Sequence, residues 1–222
     1  MPNFEPNTIS ELEINISQCT KCDLAKTRNL TVPGDGNYNA NIMLIGEAPG
    51  SNEDKTGKPF AGRAGSLLDE LLMRSGIERS KIYITNMLKC RPPSNRDPQL
   101  SEISACQPYL DLQISLVDPS VIVTLGRFSF AKFFPQVTLS ESRGIVRDWK
   151  GIKILPVYHP AAALYNPSLK PKLIQDFQKI TTLLAEKDNT SLSNIQTQPN
   201  TQLNLFESVS YTHLTLPTSD LV

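Results

Sequence analysis

Residues 41–54 read NIMLIGEAPGSNED. The run from Asn41 to Ile45 is apolar and β-branched with no polar alternation, so it reads as a strand buried on both faces, as a parallel sheet requires. It gives way at once to Gly46-Glu47-Ala48-Pro49-Gly50. The glycines and proline there turn the chain tightly and bring Glu47 and backbone amides to the strand's carboxyl end. Three further runs share the character of the first: Lys81 to Thr85, Ser120 to Leu125 and Gly151 to Val157. Segments with helical spacing lie between and after them. Ala64 to Arg74 sets Leu67, Leu68, Leu71 and Leu72 on one side, and Pro98 to Leu116 carries Ile103, Cys106, Leu110 and Ile114 at intervals of three or four. Phe128 to Phe134 and Leu169 to Leu184 supply two more. Strands alternating with helices predict an α/β domain of three layers, α/β/α, around a central four-stranded parallel sheet. Ligands of such sheets bind beyond the carboxyl ends of the strands. The loops that begin at Gly46, Asn86, Gly126 and Tyr158 are therefore where chemistry is expected.

At 222 residues the chain has room for one substantial core plus tails. The domain is placed at residues 1–186. From Lys187 to Thr201 the composition turns to Asn, Ser, Thr and Gln, which predicts a disordered linker over 187–208. No stretch approaches the roughly 20 apolar residues of a membrane span, and Met1 to Ser10 lacks the features of a signal peptide. A cytoplasmic location is the expectation. Formal charge is zero overall, but Cys19 to Glu186 holds 21 Lys and Arg against 16 Asp and Glu, a net +5. This mildly basic domain is compatible with a phosphate backbone without requiring one.

Cys19 and Cys22 form C-x-x-C, while Cys90 and Cys106 stand apart after the second strand. In a reducing compartment four cysteines suggest a metal before a disulfide. C-x-x-C chelates both zinc and iron–sulfur centres. The second pair does not repeat the knuckle as a zinc ribbon does, so the spacing leans toward iron–sulfur, though ligand count does not decide between the metals. Four thiolates would fill the coordination shell, giving a structural role.

The loops carry the other candidates. GKPFAGRAG (57–65) places Phe60 in a glycine-rich basic loop ahead of a helix, where it is either core or a stacking surface for a flat ring. Asn86 follows the second strand and offers the mixed donors and acceptor that match a pyrimidine edge, or else caps the next turn. Lys89, Arg91 and Arg96, stiffened by Pro92 and Pro93, form a basic loop suited to phosphates. HPAAALYNP (159–167) fixes His159 at the end of the fourth strand.

Together, the four cysteines, GEAPGSNED, GKPFAGRAG, TNMLKCRPPSNRDP and HPAAAL resemble the family 4 uracil-DNA glycosylases, the iron–sulfur branch of that superfamily, from about Cys19 to Leu184. The resemblance implies a uracil-DNA glycosylase-like fold and hydrolysis of the N-glycosidic bond of uracil in DNA, releasing free uracil for base-excision repair. It implies a 4Fe-4S cluster on Cys19, Cys22, Cys90 and Cys106. It also implies catalytic roles for Glu47 and His159, with the base bound by Gly46, Ala48, Glu53, Phe60 and Asn86. Phe60 would stack on the ring, Asn86 read its polar edge, His159 donate to O2, Glu47 orient the attacking water and Glu53 obstruct a thymine methyl. Arg91 and Arg96 would contact DNA, and Leu164 would be either the wedge that fills the gap left by the flipped base or a core residue, since it lies one place beyond the wedge leucine's usual offset from the histidine. The best-known uracil glycosylases carry aspartate where this chain has Ala48. A related covalent-trapping family uses a histidine in the loop between Asn86 and Pro98, where this chain has none. A zinc-stabilised DNA-binding module without catalysis is the reading from a different class.

Gln202, Leu203, Asn204, Leu205 and Phe206 resemble the pentapeptide with which bacterial proteins bind the sliding clamp, which would deliver a repair enzyme to replicating DNA; a monomeric, nucleoid-associated bacterial protein is the expectation. VSYTHLTLPT (209–218) resembles an in-frame translation of a sequencing adapter, so residues 209–222, His213 included, are set aside from the fold.

Overall fold

The computed structural model describes residues 6–195, and side-chain surroundings for residues 6–184. Six strands form one sheet: β1 (Asp35–Gly36), β2 (Ile42–Gly46), β3 (Tyr83–Asn86), β4 (Val121–Leu125), β5 (Arg147–Trp149) and β6 (Ile152–Val157), in spatial order β1-β3-β2-β4-β6-β5. The four inner strands are parallel and are the four expected from the sequence. Two short antiparallel edges, β1 on β3 and β5 on β6, extend the sheet beyond that expectation. Each edge offers only two or three residues, too few to show a period in sequence.

Among the described residues the α-helices are α1 (Ile9–Ser17), α2 (Ser51–Thr56), α3 (Arg63–Arg74), α4 (Leu100–Val117), α5 (Arg127–Ala131), α6 (Leu139–Ser142), α7 (Pro160–Tyr165) and α8 (Lys170–Ile195). Alternate residues of the inner strands feed opposite layers. Ile42 and Leu44 pack with Leu67, Leu68, Leu71 and Leu72 of α3 and with Leu173 and Phe177 of α8. Met43 and Ile45 pack with Leu110 and Ile114 of α4 and with Ile9 of α1. The period of two in the strands and of three to four in the helices thus yields three layers, with the sheet buried between. Fully burying a leucine such as Leu68 or Leu71 contributes about 1.5–3 kcal/mol.

Thr8 caps α1, accepting from Glu11 N at 3.2 Å. Gln99 and Glu102 form a capping box at the start of α4. The segment expected as a helix over 128–134 is helical only to Ala131; Pro135 follows closely and cannot continue a helix. α8 crosses the boundary placed at Glu186 and is helical to the last described residue, Ile195, so the polar stretch expected as linker begins in helical form. Extending a helix already nucleated on the core requires little of each added residue. The pentapeptide at 202–206 and the segment 209–222 lie outside the described residues. Among the described residues no helix is long and apolar enough to cross a membrane.

The order of connections fixes the location of the site. From β2 the chain crosses through α3 to β3 on one side and returns through α4, on the opposite face, to β4 on the other side, so strand order reverses about β2 and opens a crevice at the carboxyl ends of the strands.

Candidate active site

A pocket of about 410 Å³ opens at that crevice, lined by Glu47, Ala48, Glu53, Phe60, Asn86 and His159, with Arg96 and Tyr165 at its mouth. The loops after Gly46, Asn86 and Tyr158 thus converge on one cavity with the 57–65 segment, while the expected loop after Gly126 is not part of its lining. Gly46 forms the floor: a Cβ there would lie 2.2 Å from Asn86 Oδ1 and 3.0 Å from the Phe60 ring, so only glycine lets these two side chains close over the strand end. β3 keeps its pairing one step beyond Asn86, with Met87 N donating to Gly46 O and Leu88 N to Glu47 O, both at 3.0 Å. Asn86 is 2 % exposed, and no hydrogen bond among the described residues takes up its side-chain amide.

Phe60 is buried at the pocket wall with φ of 52°, a left-handed conformation that costs a non-glycine residue about 1–2 kcal/mol. Gly65 makes the conformation possible, since a Cβ at that position would lie 1.7 Å from the Phe60 carbonyl oxygen. Phe60 belongs to the buried core, and its ring stacks on His159 with centroids 5.6 Å apart and planes at 22°.

His159 caps α7. Its Nδ1 accepts from Ala161 N at 3.1 Å, so the ring proton lies on Nε2. Burial pulls the imidazole pKa down to about 4, and the ring is neutral near pH 7. It faces the pocket as an Nε2–H donor without a charge.

Glu53 reaches back across the loop, Oε1 accepting from Gly62 N at 3.1 Å. Glu47 is half-buried; burial raises its pKa, the Asp97 carboxylate raises it further and the Arg127 guanidinium opposes both. Ala48 faces the pocket and also packs toward the cysteine region.

The basic loop departs from its expected role. Lys89 is 1 % exposed and cannot meet a phosphate. Its Nζ donates to Thr85 Oγ1 at 2.7 Å, Asn86 O at 2.5 Å and Gln113 Oε1 at 2.6 Å. Burial, with Lys132 nearby, draws its pKa down to about 7 against the opposing pull of Cys106 and Cys90, but three acceptors around one nitrogen require three N–H donors, which is the ammonium form. Arg96 is held in a two-pronged pair with Glu102, at 2.6 and 2.9 Å, and presents only part of its guanidinium at the pocket mouth. Arg91 Nε donates to Asn95 Oδ1 at 2.8 Å. Leu164 packs against the core, whereas its neighbour Tyr165 is 91 % exposed at the pocket mouth. Sequence reading missed Tyr165. The available signal was the helical period of HPAAALY, in which Ala163 and Leu164 face α3 and leave Tyr165 outward.

Cys19, Cys22, Cys90 and Cys106 line a second, tight cavity, none of them in a disulfide. N–H donors reach three of the sulfurs, Lys21 N to Cys19 at 3.5 Å, Arg28 Nη1 to Cys90 at 3.2 Å and Lys89 N to Cys106 at 3.3 Å, and the Tyr109 hydroxyl also bonds Cys19. Burial pushes the Cys106 thiol up to about 11 and raises Cys90 as well, while Lys89 and Arg28 respectively oppose this. Thiolates here need a cationic partner, and donors already aimed at sulfur suit a thiolate-ligated group. Among the described residues no three such side chains are arranged to hold a single ion.

A strand-end pocket that pairs an uncharged imidazole donor with a stacking ring and an amide suits a flat, polar-edged base. Residues 33–184 match the family model described as the uracil DNA glycosylase superfamily, and the chain belongs to that superfamily. It is 50 % identical over 185 residues to a type-4 uracil-DNA glycosylase of Saccharolobus solfataricus, covering 79 % of this chain and 86 % of the relative. A type-4 enzyme of Archaeoglobus fulgidus is 44 % identical over 192 residues (82 % and 96 %), and one of Thermotoga maritima 42 % over 177 (78 % and 92 %). Within the superfamily the chain falls in the type-4 branch.

Proposed function

We propose that the chain is a monofunctional DNA-repair glycosylase that hydrolyses the N-glycosidic bond of uracil in DNA, releasing the free base and leaving an abasic site. The observation that carries this is His159, a neutral imidazole whose tautomer is fixed by Ala161 N and whose Nε2–H faces the pocket across from Asn86.

A uracil must leave the helix to enter, at a cost of a few kcal/mol that is least in single strands. In the pocket the ring stacks on Phe60, and Asn86 meets its polar edge with one acceptor and two donors. As the glycosidic bond lengthens, negative charge gathers on the departing base, and His159 donates to O2 there. A donor aimed at charge that develops only in the transition state accelerates the reaction rather than merely binding substrate. Neutral imidazole suits the role, because it stabilises the uracil anion without protonating it. Glu47, ionised above its raised pKa, orients water toward the sugar and offsets the oxocarbenium-like charge. Glu53, held by Gly62 N, stands where a C5 methyl would need room and rejects thymine. Tyr165, the outward residue at the mouth, replaces Leu164 as the side chain that fills the vacated gap. The exposed parts of Arg91 and Arg96 meet phosphates.

Cys19, Cys22, Cys90 and Cys106 hold a 4Fe-4S cluster. Four thiols around one cavity, with N–H donors already aimed at three of the sulfurs, fit a thiolate-ligated group, and the second cysteine pair does not repeat the C-x-x-C knuckle of a zinc ribbon. When bound, the cluster ties the N-terminal segment to the loop after β3 and to α4. The pocket is complete within one chain, which supports a monomer, and a DNA substrate puts its work in the cytoplasm beside the chromosome. The peptide from Gln202 to Phe206 docks the sliding clamp; unchanged clamp affinity after its deletion would dismiss that role.

The test is release of free uracil from labelled oligonucleotides carrying U opposite A, U opposite G and U in single strand, with Asn86→Ala and His159→Ala as controls. No release by the wild type under turnover conditions overturns the proposal.

A further inference from the structure

Lys89 joins the two cavities. Its backbone N–H donates to Cys106 Sγ at 3.3 Å, its carbonyl accepts from Val32 N at 2.8 Å, and Cys90 follows it directly. Its side chain turns the other way, to the carbonyl oxygen of Asn86 at 2.5 Å. The remaining acceptors are fixed in turn. Thr85 Oγ1 lies 2.6 Å from Pro33 O and spends its proton there, so toward Lys89 it can only accept. Gln113 Nε2 donates to Pro33 O at 2.8 Å and to Tyr83 Oη at 2.9 Å, which orients the amide with Oε1 on the ammonium.

A buried ammonium is costly unless every proton is matched, and here all three are. An apolar side chain would fill the space at less risk. What it would not do is hold one particular carbonyl at one place. The carbonyl held belongs to Asn86, whose own side chain has no partner among the described residues and so depends on its peptide for its aim.

We propose that Lys89 is a positioning residue for base recognition: its ammonium fixes the Asn86 peptide, so that Asn86 meets the base edge in register with the cysteine-held loop. The inference rests on the reading of Asn86 as the base-edge contact.

The test is a double-mutant cycle on protein purified with its cysteine-bound group in place: wild type, Lys89→Met, Asn86→Ala and the double variant. The readouts are single-turnover release of uracil from a single-stranded oligonucleotide, calorimetric affinity for free uracil, visible absorbance and thermal midpoint. Lys89→Met is expected to slow release about 100-fold, as small misplacements of reacting groups do, and to weaken free-uracil binding about tenfold. In the Asn86→Ala background the same change is expected to cost less than about threefold in either readout. Equal losses in both backgrounds overturn the inference, because a merely structural lysine acts whether or not Asn86 has its amide. Should Lys89→Met not yield folded protein, Thr85→Val removes one of the three acceptors with almost no change of shape. It is then expected to cost about fivefold in the wild-type background only, and equal cost in both is again fatal. Wild-type uracil release by Asn86→Ala alone would instead overturn the reading of Asn86, an outcome separate from a failure of Lys89.

Discussion

The base pocket and the cysteine cavity lie on either side of the loop from Asn86 to Cys90, yet they are held together in opposite ways. The pocket is borne by the carboxyl ends of strands in a continuous core, and its working groups are left without protein partners or with only one face engaged. Asn86 keeps its amide free, and His159 spends Nδ1 on the backbone and presents Nε2. The cysteine cavity is assembled from the segment after α1, the loop after β3 and the middle of α4, around a small apolar cluster of Leu12, Ile16, Leu24 and Leu88. Its donors point inward at sulfur. One region owes its shape to the sheet and saves its hydrogen bonds for a substrate. The other joins three separate segments, which on the reading proposed above are held together by the group it encloses.

The contrast predicts where substitutions act. The largest effect is expected from Cys22→Ala or Cys106→Ala: loss of visible absorbance and a fall in thermal midpoint of about 10 °C or more, because the metal's binding energy is folding energy. An unchanged midpoint would mean that the apolar cluster suffices alone. His159→Ala is expected to do the reverse, lowering the single-turnover rate by about 10²–10³-fold with absorbance retained and little change in midpoint near pH 7.

His159 also gives the comparison a pH axis. Its folded pKa, about 4, is below the ordinary 6.5, so the unfolded chain takes up the proton first. The stability that comes from keeping it neutral is fully present above pH 6.5 and is lost as pH falls toward 4. Denaturant unfolding of wild type should therefore weaken across that window by about 1–3 kcal/mol more than that of His159→Gln. Parallel curves would mean that the ring titrates normally. Next in size is Glu47→Gln, expected to slow single-turnover excision about tenfold and to remove an acid limb. Glu47 acts ionised and its pKa is raised, so wild-type activity should fall with decreasing pH already above the usual carboxylate range, whereas the Gln variant stays flat there. Full activity in Glu47→Gln would take this carboxylate out of the mechanism.

The same division explains what could be read from sequence. The inner strands were legible because a strand buried on both faces is an unbroken apolar run, and Glu47, Asn86 and His159, which line the pocket, were legible because they sit where those runs stop. The edges β1 and β5 were not, since neighbours rather than their own residues hold so short a strand. α2, SNEDKT, hides its burial in polar residues: Glu53 clamps Gly62 N, and Asp54 takes Asn29 N at 2.9 Å. Lys89 was read as a phosphate contact because charge alone does not say whether three acceptors wait in the interior. Arg96 was read the same way, and its partner Glu102 lies on the next helix.

The smallest effect tests the mouth of the pocket, where one position decides between the two kinds of region. Leu164 and Tyr165 are neighbours on α7, but the helix turns the first toward α3 and α8 and leaves the second in solvent. A residue that fills the space of an everted base matters only when there is a stack to fill. Tyr165→Ala should therefore slow excision from duplex DNA about three- to tenfold, within the range of losing one aromatic–base contact, and leave single-stranded substrate nearly unaffected. Leu164→Ala should lower stability by about 2 kcal/mol as a core truncation and shift both substrates alike. If Leu164→Ala alone changes the ratio of duplex to single-strand rates, α7 must turn on binding DNA, and the mouth then belongs with the cysteine cavity among the parts shaped by what they enclose.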